Sequence, residues 1–128
     1  MTTATAVPTT AEVAKTLVSL CNQGKFIEAM EATYGENIVS LEGCEMPGMK
    51  RETRGLEAVR QKAHWWEQNH TIHSCTVTGP FVSLEKFAVV FKLDATFKPE
   101  NKRIQMEEVA VYTVVGGKIV HEEFLYGQ

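Results

Sequence analysis

Two glutamates near the C-terminal end of the chain could act as an acid–base pair. Glu108 lies in a run over 102–115 in which apolar side chains recur at a spacing of two, and Glu122 lies in a second β-rich run over 118–126. Gly116-Gly117 between the runs predicts a hairpin, because glycine accepts the positive φ angles of a tight reversal. Two carboxylates on an apolar wall repel each other and lose hydration. One of them should therefore hold a proton near neutral pH and act as a general acid while the other accepts.

The register of this hairpin decides which side chains face inward. A two-residue turn would pair Val115 with Lys118, whereas a three-residue turn with a glycine bulge would pair Val114 with Lys118. We predict the bulged turn, which makes the two carboxylates diagonal neighbours on one apolar face. The other register would turn Glu107 and Glu123 inward. A purely structural role, in which each carboxylate accepts hydrogen bonds from backbone groups or from Arg54, is the alternative.

Aromatic and apolar side chains share the predicted inward face and could form the wall of a ligand pocket. Tyr112 carries a hydroxyl there and is a candidate donor to a ligand oxygen. Trp65 is expected at the pocket entrance, where its ring could stack on a flat ligand. Core packing is the alternative role for the others. The candidate ligand-binding residues are Trp65, Phe91, Leu93, Tyr112, Phe124 and Tyr126.

Histidines and a cysteine recur in the pattern His70-x-x-His73-x-Cys75, which is compatible with metal binding. A zinc site needs three or four converging ligands, and only the glutamate pair could complete this one. We therefore predict no metal and no cofactor. If His73 points inward, it is a candidate acid–base group on the pocket wall, with a hydrogen-bonded core histidine as the alternative.

Composition restricts the classes of function. The chain has 128 residues, a formal net charge of -3 and only short basic clusters, so it fits one domain and not a nucleic-acid-binding surface. Three cysteines form no disulfide pattern, and the start of the sequence does not resemble a signal peptide, which predicts a cytoplasmic protein with no membrane association. Residues 1–9 are expected to form a disordered tail, and residues 10–128 a single domain.

Periodicity predicts three helices followed by long antiparallel strands. In the strand predicted over 87–98, the odd-numbered residues from Phe87 to Phe97 are expected to face the core. The fold class is α+β, with the element order α-α-β-α-β-β-β-β and three helices on the concave face of a bent sheet. The predicted segments are helices over 10–23, 25–33 and 56–69, strands over 37–42, 71–84, 87–98, 102–115 and 118–126, and a loop over 43–55.

The opposite face of the predicted sheet carries four apolar residues that the helices do not cover. An exposed apolar patch of this kind usually marks an interface. We therefore predict a homodimer that forms sheet to sheet. The patch consists of Ala88, Val90, Val109 and Val111.

The element order and the ending EEVAVYTVVGGKIVHEEFLY resemble the nuclear transport factor 2-like superfamily, and within it the SnoaL-like domains. The resemblance covers nearly the whole chain after Thr10. It implies a cone with a pocket between the helices and the concave face of the sheet. The superfamily includes steroid isomerases, polyketide cyclases, dehydratases, epoxide hydrolases and proteins that are not enzymes, so the resemblance alone does not assign an activity.

Steroid isomerases of this superfamily use a base at the end of the first strand, a tyrosine in the first helix and a protonated aspartate on the penultimate strand. The resemblance places Glu42 at the position of the base, which makes it a candidate catalytic residue. Leu17 and Ala110 fall at the other two positions and cannot donate a hydrogen bond. Steroid isomerisation by that mechanism is therefore disfavoured, whereas proton abstraction assisted by a different donor is compatible with the sequence.

The sequence thus predicts a small pocket protein that binds a small hydrophobic or polycyclic carbonyl compound. Its chemistry would be the acid–base chemistry of an isomerase, cyclase or dehydratase. The alternative is a ligand-binding or dimerisation module without chemistry. The candidate catalytic residues are Glu42, Glu108, Glu122 and His73.

Overall fold

The computed structural model of the protein describes residues 6–45 and 49–126. Parts of the predicted tail over 1–9, of the predicted loop over 43–55 and of the end of the predicted domain lie outside these residues. The helices are α1 Thr10–Asn22, α2 Phe26–Thr33 and α3 Leu56–Asn69. The strands are β1 Tyr34–Leu41, β2 Glu52–Arg54, β3 His70–Ser83, β4 Lys86–Phe97, β5 Lys102–Val115 and β6 Lys118–Leu125.

The six strands of the described residues form one sheet in the order β2-β1-β6-β5-β4-β3. Neighbouring strands are antiparallel, except that β1 and β6 run parallel. We call the face that packs against the helices the inner face and the opposite face the outer face. The predicted α+β class, with three helices against a mostly antiparallel sheet, is confirmed. Within the described residues, no helix has the length and apolar character needed to span a membrane.

Two elements differ from the sequence prediction. The segment predicted as a loop contains β2, which pairs with the end of β1 through Leu41 and Glu52. Strand β1 begins at Tyr34 and not at Asn37, because Tyr34 pairs with Ile119 of β6. Tyr34-Gly35 reads locally as the end of a helix, so a contact distant in sequence overrides the local signal.

The core lies between the helices and the inner face. Helix α1 begins with a capping box, in which Thr9 and Glu12 each accept a hydrogen bond from the other's backbone N–H. The predicted orientation of β4 is confirmed, since Phe87, Val89 and Ala95 are buried. The largest fully buried side chains are Tyr112, Phe87, Leu17, Ile38, Ile119, Val59 and Val89.

The end of α1 contacts β3 next to an irregularity in that strand. The pairing of β3 with β4 shifts register between Thr78 and Phe81, next to Gly79-Pro80. Just before this shift, the side-chain oxygen of Asn22 accepts a hydrogen bond of 3.1 Å from the backbone nitrogen of Val77. The strand is thus irregular at Gly79-Pro80, and the pairing with β4 continues on both sides of this point.

The predicted bulged turn between β5 and β6 is wrong, although the inward face was predicted correctly. Val115 pairs with Lys118, so the turn has two residues, the glycines with φ of +60° and +77°. The register then shifts by one residue, because Val120 is inserted between the residues that pair with Val114 and Thr113. This bulge restores the face that the other turn would have produced.

Because of this register, Glu108 and Glu122 are not diagonal neighbours. Glu122 lies directly opposite Tyr112. Tyr112 is four residues from Glu108 along β5, so the rows that contain the two carboxyls are about 13 Å apart. Glu108 and Glu122 both lie on the inner face. Glu107 and Glu123 lie on the outer face, where they pair with Lys92 and Val111 respectively.

Candidate functional site

Glu122 is a buried carboxyl that the scaffold satisfies. It is 2% exposed and lies between Tyr112 of β5 and Ser40 of β1 in one row across the sheet. The hydroxyl of Tyr34 donates a hydrogen bond to its Oε1 atom. Burial raises the pKa of Glu122, while the hydrogen bonds with Tyr34 and Ser40 and the charge of Lys62 act in the opposite direction. These contacts make Glu122 part of the structure of the sheet.

Tyr112 belongs to the core. It is 2% exposed, and its ring stacks on that of Phe87 with 4.7 Å between the centroids. Burial and the neighbouring Glu122 hold the pKa of Tyr112 well above its usual value. The structure therefore places the hydroxyl predicted as a ligand donor away from the accessible part of the inner face.

Glu42 follows the last residue of β1 and has both carboxylate oxygens occupied. Its Oε1 accepts a hydrogen bond of 2.9 Å from Nζ of Lys62, and its Oε2 accepts one of 3.0 Å from the hydroxyl of Tyr126. Gly43 lets the chain pass close to β6, because a Cβ atom there would lie 3.0 Å from the backbone oxygen of Tyr126. Glu42 is thus bound on both sides and is less available as a base than the resemblance implies.

Lys62 joins these groups from α3. Besides Glu42, its Nζ donates a hydrogen bond of 2.8 Å to Oγ of Ser40. The side chains of Lys62 and Glu42 are each 16% exposed, so the ion pair is only partly screened by water. Nζ also lies 6.0 Å from the centroid of the Phe124 ring.

Glu108 has a different environment. Within residues 6–45 and 49–126 it makes no hydrogen bond and no ion pair, although it is half-buried. Burial raises the pKa of Glu108 to about 7, the charges of Glu42 and Glu122 add to this rise, and the charge of Lys62 reduces it. Among the described residues, Glu108 is therefore a carboxyl without a hydrogen-bond partner, and its pKa lies near neutral pH.

Apolar side chains surround Glu108 on the inner face. Phe91 lies directly opposite it, and Leu93 pairs with Met106 in the next row. These residues, like Phe124, are half-buried, whereas Phe87 in the row of Tyr112 is 1% exposed. The inner face is therefore closed at the Tyr112 end and partly open at the Glu108 end.

Aromatic rings extend this surface toward the end of α3. Trp65 is 44% exposed, and its ring centroid lies 6.4 Å from those of both His70 and Phe97. His70 stacks on Trp66 with 3.9 Å between the centroids. Trp65 thus presents an accessible ring next to Phe97, on the same side of β4 as Phe91.

His73 lies apart from the inner carboxylates. A register shift between Ile72 and Ser74 leaves it exposed, with its Nε2 atom 2.7 Å from Oγ1 of Thr96. The site therefore does not include His73. Cys75, in contrast, pairs with the inward-facing Leu93. Across the described ranges 6–45 and 49–126, no three His, Cys, Asp or Glu side chains are arranged to hold a metal ion.

Sequence reasoning missed Lys62, Ser40 and Tyr34. A signal for Lys62 was present, because it follows Val59 by three residues and precedes Trp66 by four, which places it on the inward side of α3. Tyr34 was missed because it was assigned to the end of a helix and not to a strand.

A family model described as a SnoaL-like domain matches residues 8–126. The chain belongs to this family. A crystal structure from Mesorhizobium loti, described as a candidate SnoaL-like polyketide cyclase and also as a carbohydrate phosphatase, is 42% identical to this SnoaL-like chain. Their alignment covers 93% of this chain and 100% of the other, with a TM-score of 0.88. The search of curated proteins finds no match.

More distant structures share the fold alone. A protein of unknown function with a cystatin-like fold from Xanthomonas campestris is 12% identical, with a TM-score of 0.76 over 94% of this chain and 92% of that one. A nuclear transport factor 2-like protein of unknown function from Burkholderia pseudomallei is 13% identical, with a TM-score of 0.74 over 92% and 90%. The predicted resemblance to the SnoaL-like domains is confirmed by the family match, and these distant structures share the fold.

Proposed function

We propose that this SnoaL-like domain binds a small hydrophobic or polycyclic carbonyl compound at the open end of the inner face, and that Glu108 transfers protons to and from it. One observation carries the proposal. Glu108 is a half-buried carboxyl with no hydrogen-bond partner in the part of the chain that the structure describes, whereas Glu42 and Glu122 are both bound by neighbouring side chains.

The chemistry follows from the state of Glu108. As a carboxylate it would accept a proton from a carbon next to a carbonyl group, and as an acid it would return that proton to a different atom. A pKa of about 7 places Glu108 close to the optimum for both steps at neutral pH. Isomerisation, ring closure and elimination of water all use this pair of proton transfers.

The surroundings of Glu108 indicate the class of compound. Phe91, Leu93 and Phe124 offer apolar surface, and the accessible ring of Trp65 could stack on a flat ligand. The relative from Mesorhizobium loti, described as a candidate polyketide cyclase, supports a substrate with several carbonyl groups.

Exchange of acidic C–H groups tests the proposal without knowledge of the substrate. A panel of cyclic and polycyclic ketones is incubated with the protein in D₂O, and the loss of α-proton signals is followed by NMR. We expect catalysed exchange for at least one compound, and Glu108→Gln should slow it on the order of a hundredfold. Glu107→Gln is the matched control, because Glu107 is the adjacent residue and faces outward. Equal exchange rates in both variants would show that Glu108 does not transfer the proton.

A second candidate function is ligand binding without chemistry. It is favoured by Leu17 and Ala110, which are buried apolar residues at the two positions where steroid isomerases carry their hydrogen-bond donors. A compound that raises the melting temperature of the protein, yet shows no exchange in D₂O above the Glu108→Gln level, would support this function over the first.

The outer face supports the proposal that the domain forms a homodimer. Val90 pairs with Val109 and Ala88 with Val111, and all four side chains are only half-buried in the monomer. Leu125, opposite Val109, is 49% exposed and enlarges the apolar patch. Analytical ultracentrifugation should show a dimer at micromolar concentration, and Val109→Lys should convert it to a monomer. A monomeric parent protein would contradict this proposal.

We also propose that the protein works in the cytoplasm. Cys21 and Cys75 carry free thiols, as expected in a reducing compartment. Fractionation of cells that produce the protein, followed by immunodetection, tests this location.

A further inference from the structure

Lys62 supplies a positive charge and an uncommitted donor beside the proposed site. A lysine ammonium group carries three N–H donors. Two of them are used, one by Oε1 of Glu42 and one by Oγ of Ser40. Every buried polar side-chain atom in the described part of the chain has a partner, so Ser40 and Glu42 do not require the third donor. The side chain of Lys62 is 16% exposed, so part of it remains accessible to solvent.

The position of Lys62 relative to the carboxyls matters for chemistry. Its Nζ lies 6.0 Å from the ring centroid of Phe124, which pairs with Ala110, two residues along β5 from Glu108 and two from the row of Glu122. The cation therefore lies beside the row between the two carboxyls, and its charge lowers the pKa of both. Two hydrogen bonds, to Glu42 and to Ser40, hold Nζ in this position. A fixed cation costs little reorganisation when negative charge develops beside it.

We propose that Lys62 binds the carbonyl oxygen of the substrate and stabilises the enolate that forms when Glu108 removes the neighbouring proton. This inference rests on the proposed function and assigns a role to a residue outside the predicted set. In the step, the C–H bond breaks and its proton moves to the Glu108 carboxylate. The electron pair of that bond forms a C=C bond, and the carbonyl π pair moves onto oxygen, which accepts a hydrogen bond from Nζ of Lys62. Lys62 keeps its proton throughout.

The inference narrows the substrate to compounds whose carbonyl group has an acidic C–H on the adjacent carbon. It also explains how the site could work with apolar side chains at Leu17 and Ala110, because the donor would come from α3 and not from α1 or β5. The competing interpretation is that Lys62 serves only as the counter-ion of Glu42. That role predicts a loss of stability on substitution but no preference for a bound oxyanion.

Phenols of graded acidity test the inference, because a phenolate resembles an enolate in shape and charge and absorbs at a different wavelength from the phenol. Each phenol is titrated with the protein at fixed neutral pH, and the absorption spectrum gives the fraction of phenolate in the bound state. We expect the protein to bind the phenolate in preference to the phenol. Lys62→Met should reduce phenolate affinity tenfold or more, roughly the value of a hydrogen bond to a charged group. Lys15→Met, at an exposed lysine of α1, is the control and should change nothing.

Other variants cover the case in which Lys62→Met does not fold. Lys62→Gln keeps a donor without the charge and should also lose the phenolate preference, whereas Lys62→Arg should retain most of it. Unchanged phenolate binding in folded Lys62→Gln would overturn the inference. The proton-exchange experiment with Glu108→Gln is scored separately. Glu108→Gln could lose proton exchange while Lys62→Gln keeps the phenolate preference of the parent. That result would support the proposed function and show that Lys62 has no role in it.

Discussion

The hydroxyl of Tyr34, the first residue of β1, donates a hydrogen bond to the buried carboxyl of Glu122 on β6. This contact joins the start of one strand to the middle of its parallel neighbour. It also explains why a carboxyl that is 2% exposed can remain in the core of the domain.

Tyr34→Phe tests the importance of that contact. The substitution removes one donor from a buried carboxyl oxygen, so the free energy of unfolding should fall by about 1–3 kcal/mol. Tyr126→Phe removes a similar donor from Glu42, which keeps its bond to Lys62, and should cost less, about 1 kcal/mol. Chemical melts of both variants check this order. Equal losses would mean that the burial of Glu122 does not increase the contribution of the Tyr34 hydrogen bond to the free energy of unfolding.

The dependence of stability on pH provides a second test of Glu108. Its pKa is raised from 4.5 to about 7 by folding, so the folded state binds the proton more tightly than the unfolded state. Stability from this group is therefore fully present below pH 4.5 and is lost as pH rises to 7. As pH rises through that window, the free energy of unfolding of Glu108→Gln should increase relative to that of the parent by up to about 3 kcal/mol. Urea melts at several pH values measure the difference. The control Glu107→Gln should show the same dependence of stability on pH as the parent.

The hairpin turn offers a matched pair of glycine substitutions. Gly116 and Gly117 both have positive φ, but a Cβ atom at Gly117 would lie 2.8 Å from side-chain atoms of Val7 and Pro8, whereas one at Gly116 meets nothing within 4 Å. Both alanine variants should lose about 1–2 kcal/mol to backbone strain, and Gly117→Ala should lose about 1–3 kcal/mol more. Thermal melts check this difference. Deleting residues 1–8 should abolish the difference between the two alanine variants. If the difference persists, Val7 and Pro8 do not pack on the turn.

The reactivity of Cys21 is a further prediction. Cys21 is 5% exposed, and burial raises the pKa of its thiol to about 12. Because the thiolate is the reactive form, Cys21 should react with a disulfide reagent only when the protein unfolds. Labelling of the folded protein followed by peptide mass spectrometry checks this, with labelling in denaturant as the control. Rapid modification of Cys21 in the folded state would contradict the packing of α1.

The fold could be predicted from sequence because most of its elements carry their own signals. The alternation from Phe87 to Phe97 fixes which face of β4 is buried, and Gly116-Gly117 fixes the hairpin. Strand β2 was missed, since three residues have no period of their own and it forms only by pairing with β1.

The orientation of the candidate residues could be predicted from the sequence, but their contacts could not. The inward orientation of Glu108 and Glu122 follows from the spacing of two along a strand, but the bulge at Val120 that sets their separation has no sequence signal. The partners of Glu42 come from α3 and the end of β6, and contacts between distant elements do not appear in any local pattern. Lys62 could have been found only by comparing the inward side of α3 with the end of β1.

The carboxyl of Glu108 can be observed directly. Protein labelled with ¹³C at the glutamate side chains is titrated by NMR, and Glu108→Gln assigns the signal. The midpoint should lie near pH 7, and it should rise in Lys62→Met and fall in Glu42→Gln, because those residues lower and raise the pKa of Glu108 in the parent protein. A midpoint near the ordinary glutamate value of 4.5 would contradict the central proposal that Glu108 is a proton-transfer group with no partner on an apolar face.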